Sequence, residues 1–231
     1  VRMTLDWLAK QAIALERDGL ERFRIPGGQR YRAFDAPMAG DFSSATFFLC
    51  AAAATAGDLL LEGLDMSDPQ GDKAVVEMLR EMGAEVEVLP GALRLHGGEL
   101  DGCDLDLNAT PDALPALAVT ACFARGTTRL LNVPQARMKE TDRISVMQEV
   151  ITALGGKAEE LPDGLVIRGT GLKGGRASGH GDPRVVMACG LAGLAADGPV
   201  EATTAEAAAV TFPDYVELMS SVGAKISLLE T

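Results

Sequence analysis

Apolar positions along this chain change period at regular intervals. Three Ala-rich apolar runs, FSSATFFLCAAAATAG, ALPALAVTACFARG and PRVVMACGLAGLAADG, predict helices. Each closes on a glycine (Gly57, Gly126, Gly198) and is followed by a strand-like segment, DLLLEGL, TTRLLNV or PVEATTA. Next comes apolar spacing of three and four, the mark of an amphipathic helix. It is carried by Val75, Met78, Leu79 and Met82, by Ile144, Met147, Ile151 and Leu154, and by Val216, Met219 and Val222. Gly83, Gly155 and Gly223 stand where a left-handed C-cap is expected. After the first two of these helices, EVEVLPGALRLH and KAEELPDGLVIRG alternate as hairpins whose turns are expected at Gly91 and Gly164.

The succession is a repeat. Asp41, Asp112 and Asp182 recur at about 70 residues, each at the front of an all-apolar run. Read cyclically, the unit is β-α-β-α-β-β, and three units sharing a helical core make an α/β (α+β) lobe. The expected units span about 37–100, 101–172 and 173–231. Residues 1–36 follow the same rule: Leu5, Leu8, Ala12 and Leu15 share a helical face in MTLDWLAKQAIAL, and ERDGLERFRI mirrors ELPDGLVIRG. This is the back half of a further unit, so a second lobe is expected ahead of residue 1.

Composition narrows the choice of partner. The 231 residues are 47% apolar but only 4% aromatic, so the core is built from Ala, Leu, Val, Met and Ile, and the nine methionines read mostly as packing. A formal charge of -12 argues against nucleic acid and anionic membranes. No apolar run is long enough for a membrane span. Cys50, Cys103, Cys122 and Cys189 form no C-x-x-C pair, which points away from zinc and toward reduced thiols in a cytoplasmic setting.

Within this acidic chain, Arg137, Lys139 and Arg143 gather three cations around Glu140 and Asp142 in RMKETDR. Thr141 or Asp142 is the expected N-cap of the following helix. One reading is a solvated helix entrance. However, Arg143 there opposes the helix dipole, which favours an anion between them. Asp41, Asp112 and Asp182 read individually as N-caps, Asp182 with Pro183 at the first helical position. Three helix N-termini on one rim would also form an anion site.

KETDR resembles the K-[ED]-[ST]-D-R signature of the 5-enolpyruvylshikimate-3-phosphate synthases, in the enolpyruvyl transferase family. GDFSSATFFLCAAA, PQGD, TPDALPALAV and TFPDYVE are similar to further family segments, in the family's order. The resemblance covers the C-terminal half of such an enzyme and the tail of its N-terminal half. It implies an inside-out α/β barrel lobe and transfer of the enolpyruvyl group of phosphoenolpyruvate to the 5-hydroxyl of shikimate 3-phosphate, releasing phosphate. Glu140 is then the acid/base at the methylene carbon, Asp112 the base at the hydroxyl, and Lys139 a catalytic cation. Arg143 and Arg184 grip phosphoenolpyruvate, while Gln135 and Asp182 complete the substrate site. No metal or organic cofactor is implied, and turnover requires the N-terminal lobe. The other readings are a relative acting on a sugar nucleotide, which KETDR and TFPDY disfavour, and a non-catalytic binding module of the same fold.

Three positions depart from the family pattern. Pro183 replaces a histidine, Val210 a lysine, and Gln135 an asparagine. Loss of a cation at Val210 implies a weaker grip on phosphoenolpyruvate and on anionic phosphonates such as glyphosate. Val210→Lys is expected to lower the glyphosate inhibition constant of the two-lobed protein; an unchanged constant contradicts the expectation. His96 reads as a surface residue, His180 as a loop residue, Trp7 as packing on its neighbouring strands, and Ser43 and Ser44 as helix caps.

Overall fold

The computed structural model describes residues 1–229. At the N-terminus, α1 (Arg2–Lys10) precedes a hairpin of β1 (Glu16–Asp18) and β2 (Arg22–Arg24), which turns at Gly19 with φ 56°. The helix stops earlier than its apolar face suggests. Ala12 takes φ 54°, and the Ile13 N–H reaches back to the Leu8 carbonyl at 2.9 Å, a closing bond of the Schellman kind. No residue of α1 is buried. Trp7 packs on Phe34, with ring centroids 5.4 Å apart, and under the Lys10 ammonium.

Three central helices follow: α2 (Phe42–Ala54), α4 (Leu114–Ala121) and α6 (Pro183–Ala195). They pack against one another, and every residue of α4 is buried, as a helix apolar on all sides requires. Amphipathic α3 (Ala74–Glu81) and α5 (Arg143–Ala153) turn Val75, Val76, Met78 and Leu79, and Ile144, Met147, Val150 and Ile151, into the same core. Gly83, Gly155 and Gly223 take φ of 104°, 83° and 98°, the expected left-handed conformation. After α7 (Ala208–Thr211), the last helix, α8 (Tyr215–Ser221), is anchored by Tyr215 and Met219, whereas Val222 is half exposed. The Tyr215 hydroxyl donates to the Met187 carbonyl at 2.9 Å, and its ring meets Phe47 and Phe48 edge-on. Of the expected apolar face, Met219 is buried and Val216 packs against the core, while Val222 is not; Tyr215 adds an anchor that the spacing did not include.

The sheets lie outside the helices. One comprises β3 (Asp58–Glu62), β5 (Ala92–His96) and β4 (Glu85–Leu89), all antiparallel in that order. A four-stranded sheet has the order β6 (Asp104–Asp106), β7 (Thr127–Leu131), β9 (Gly164–Arg168), β8 (Lys157–Leu161), with β6 parallel to β7. With α4 and α5 it forms a complete β-α-β-α-β-β unit. The third sheet, β10 (Gly175–Ala177) parallel to β11 (Val200–Ala202), flanks α6.

The hairpin turns differ from each other. Pro90-Gly91 turns with Gly91 at φ 68°, as expected. The second turn is Pro162-Asp163, because Leu161 already pairs with Gly164. Gly164 is required for close approach: a Cβ there would run into the Leu130 carbonyl of β7.

Candidate active site

The starts of α2, α4 and α6 converge on one rim. Asp41 caps α2, its carboxylate accepting from the Ser43 and Ser44 N–H groups at 3.2 and 3.0 Å. Asp182 caps α6 in the same way, accepting from the Arg184 N–H at 2.9 Å with Pro183 beside it. Asp112 is not a cap. It sits in a 3-10 turn, Pro111–Ala113, ahead of α4, and its carboxylate is turned toward cations. Asp142 caps α5 through the Ser145 N–H, which leaves the Thr141 hydroxyl free to donate to Asp182 Oδ2 at 3.0 Å.

Arg143 organises the cluster. Its side chain is 0% exposed and reaches three carboxylates: Asp182 Oδ2 from Nε at 2.8 Å, Asp112 Oδ1 from Nη1 at 2.8 Å, and Glu140 Oε2 from Nη2 at 2.6 Å. Charge-assisted bonds of this kind offset the desolvation that a buried guanidinium suffers. Burial pulls its pKa down, but Asp182, Glu140 and Asp112 outweigh that and hold it above the ordinary arginine value. Asp182 is likewise 0% exposed. Burial alone would raise its pKa, yet the bonds and charge from Arg143, the Arg184 N–H and the Thr141 hydroxyl leave it lowered.

Asp112 and Glu140 stand nearer to solvent. Lys139 Nζ meets Asp112 Oδ1 at 3.1 Å, and Arg184 Nη2 meets Asp112 Oδ2 at 3.2 Å. Burial raises the pKa of Asp112, but Arg184, Arg143 and Lys139 together hold it below the usual carboxylate value. The three cations thus favour the ionised form of Asp112. Glu140, 48% exposed, is tethered among the described residues only through Arg143 Nη2. Arg184 Nη2 also donates to Ser43 Oγ at 2.7 Å, while its buried Nε has no acceptor among the described residues.

Most of the residues singled out from the sequence are therefore brought together, though in different capacities. Arg143 and Asp182, expected at the substrate, lie beneath the surface and hold the others. Gln135 stands on the neighbouring 3-10 turn, Pro134–Met138, with its amide donating to the Asn108 carbonyl at 3.0 Å. Arg137 leaves the cluster, pairing with Asp142 and Glu160 and donating to the Pro162 and Leu161 carbonyls. The three cations of RMKETDR consequently do not form one positive patch. Lys139, Arg143 and Arg184 face Asp112, Glu140 and Asp182 in equal number. Ser43 and Thr141, read from the sequence as caps, instead serve Arg184 and Asp182.

The other candidates stay apart. His180 occupies a left-handed loop position beside Glu149, and His96 lies across from Asp58 on the outer sheet. Burial pushes the Cys50, Cys122 and Cys189 thiols up to about 12, and the described residues hold no cluster suited to a metal ion. Val210 projects from α7 with 80% exposure, so a longer side chain fits there. No described helix is long and apolar enough to cross a membrane.

Residues 1–219 match the family described as EPSP synthase (3-phosphoshikimate 1-carboxyvinyltransferase). A 3-phosphoshikimate 1-carboxyvinyltransferase of Ruminiclostridium cellulolyticum is 52% identical over 229 residues, covering 99% of this chain and 54% of the relative. That of Acetivibrio thermocellus is 54% identical over 230 residues, with 100% and 54% covered. The structure of an EPSP synthase from Acinetobacter baumannii superposes with a TM-score of 0.87 at 28% identity, covering 98% of this chain and 55% of that one. The chain spans about half the length of the curated relatives it matches.

Proposed function

Since the chain belongs to the EPSP synthase family, we propose that it is one lobe of a transferase that moves the enolpyruvyl group of phosphoenolpyruvate to the 5-hydroxyl of shikimate 3-phosphate. Residues 37–231 form the lobe, and residues 1–36 belong to a unit completed by a preceding lobe. The observation that carries this reading is the single network joining Asp112, Lys139, Glu140, Arg143 and Arg184 where three helix starts meet. Both substrates are anions, and donors gathered at helix starts suit them.

The reaction needs three proton movements. The hydroxyl oxygen adds to carbon 2 of phosphoenolpyruvate and loses its proton, while carbon 3 gains one. Carbon 3 then loses a proton as the bond to phosphate breaks. Asp112, held ionised by three cations, takes the hydroxyl proton. Glu140, half exposed and held by Arg143 Nη2, gives and removes the proton at carbon 3. Lys139 and Arg184 meet the phosphoenolpyruvate oxygens, Gln135 the sugar-like ring, and Arg143 with Asp182 position the carboxylates.

Because the cations here are already matched by carboxylates, a surplus positive charge for two anionic substrates has to come from the preceding lobe. Turnover by this chain alone is therefore expected to be negligible, since bringing both substrates together supplies much of the acceleration. Phosphate release from the two substrates, with and without an added N-terminal half, tests this. Release only from the mixture supports the reading. Release by the chain alone overturns the need for a second lobe. Silence from two halves shown to associate points to a non-catalytic module.

A further inference from the structure

Gln70-Gly71-Asp72 lies outside the ion-pair network, and none of the roles above uses it. Gln70 is buried: its Oε1 accepts from the Phe42 N–H at 2.8 Å, and its Nε2 donates to the Gly40 carbonyl at 2.9 Å. It grips the chain on both sides of Asp41. Two residues on, Asp72 Oδ1 accepts from the Thr110 hydroxyl at 2.5 Å. Thr110 is wholly buried, directly before the turn that carries Asp112. Between these contacts, Gly71 passes so near Ala109 that a Cβ would run into the Ala109 carbonyl.

One tripeptide thus ties the start of α2 to the turn before α4. Those elements hold the two partners of the Arg184 guanidinium, Ser43 and Asp112. We infer that Gln70-Gly71-Asp72 is a positioning bracket, in which the Thr110–Asp72 hydrogen bond fixes Asp112 against Arg184; its bearing on turnover rests on the enolpyruvyl-transfer reading. A neutral acceptor would satisfy the Thr110 hydroxyl at less desolvation cost than a carboxylate. Burial raises the pKa of Asp72, Thr110 opposes this, Asp112 and Asp41 add to it, and Arg184 lowers it. What the position supplies is an acceptor for the buried Thr110 hydroxyl, and that bond holds the turn before α4 in place.

The test is Thr110→Val, which keeps the shape and removes the hydroxyl, with Thr110→Ser restoring it. Carbon-13 NMR titration of the Asp112 carboxyl in the 231-residue chain gives a readout independent of activity. In folded Thr110→Val, Asp112 should titrate at higher pH than in the parent, as its hold on Arg184 loosens, and Thr110→Ser should return it. In the two-lobed protein, kcat should fall by roughly ten- to a hundredfold, the scale of a misplacement of about 1 Å. Asp72→Asn, which keeps an acceptor, should recover most of the loss expected of Asp72→Ala. An unmoved Asp112 titration in folded Thr110→Val overturns the bracket. A moved titration, in a two-lobed parent that releases no phosphate, leaves the bracket standing and overturns the transferase reading.

Discussion

Arg143→Met is expected to lower the stability of the 231-residue chain by about 3–5 kcal/mol at pH 7, the range for removing one partner of a buried ion pair. Asp182 is the reason. It is wholly buried and keeps its charge through two bonds from Arg143, at 2.8 and 3.1 Å. With arginine present its pKa is lowered, so its contribution is complete above the ordinary carboxylate value of 3.8 and is lost as pH falls through its lower folded value. Without the guanidinium, burial is opposed only by the Arg184 N–H and the Thr141 hydroxyl, and the pKa of Asp182 is expected to rise. A raised carboxylate has the opposite sign: it stabilises below its unfolded value, and that contribution disappears as pH rises. Urea unfolding should therefore show the gap between parent and Arg143→Met narrowing from pH 7 toward pH 4. A second substitution, Asp182→Asn, should recover part of the loss. A loss under about 1 kcal/mol, or one equal at both pH values, would show that Arg143 does not carry this buried charge.

Glu140→Gln should do the reverse, sparing the fold and removing the chemistry. Its carboxylate is half exposed, is held by Arg143, and can be replaced by an amide of equal size that still accepts a hydrogen bond. The amide keeps an acceptor for Arg143 Nη2, and the buried guanidinium retains Asp182 and Asp112, so the fold is expected to be spared. If Glu140 handles the proton at carbon 3, phosphate release by the two-lobed protein should fall by about 10²–10⁴-fold, the usual worth of a general acid/base. KM for shikimate 3-phosphate should stay close to the parent's. Deuterium uptake from solvent into the phosphoenolpyruvate methylene group should fall with turnover. Turnover within about threefold of the parent would remove Glu140 from the proton-transfer role, since a positioned acid/base is worth far more.

Sequence and structure divide differently at the two levels of organisation. All-round apolarity in ALPALAVTAC leaves a helix only one place, inside other helices, and α4 is buried along its whole length. Left-handed glycines at 83, 155 and 223 were equally legible, since few other residues take that conformation without strain. What failed locally was overridden by contacts remote in sequence. Gly164 resembled a turn glycine but is required by the Leu130 carbonyl across the sheet. The last helix gains an anchor in Tyr215, which docks under Phe47 and Phe48, residues more than 160 positions away.

For the candidate site, the repeat and the KETDR segment singled out Asp112, Lys139, Glu140, Arg143, Asp182 and Arg184, and the fold brings these six side chains into one ion-pair network, with Gln135 on the neighbouring turn. The sequence by itself could not determine rank within that network. A carboxylate before an apolar helix looks the same whether it caps, as Asp41 and Asp182 do, or faces cations, as Asp112 does. Nor does a row of charges reveal which member is buried. Only the tertiary structure decided that Arg143 lies at 0% exposure beneath its carboxylates while Arg137 leaves for Glu160. Composition and spacing act through local backbone preference, whereas burial and charge pairing depend on which distant side chains the fold brings within about 3 Å.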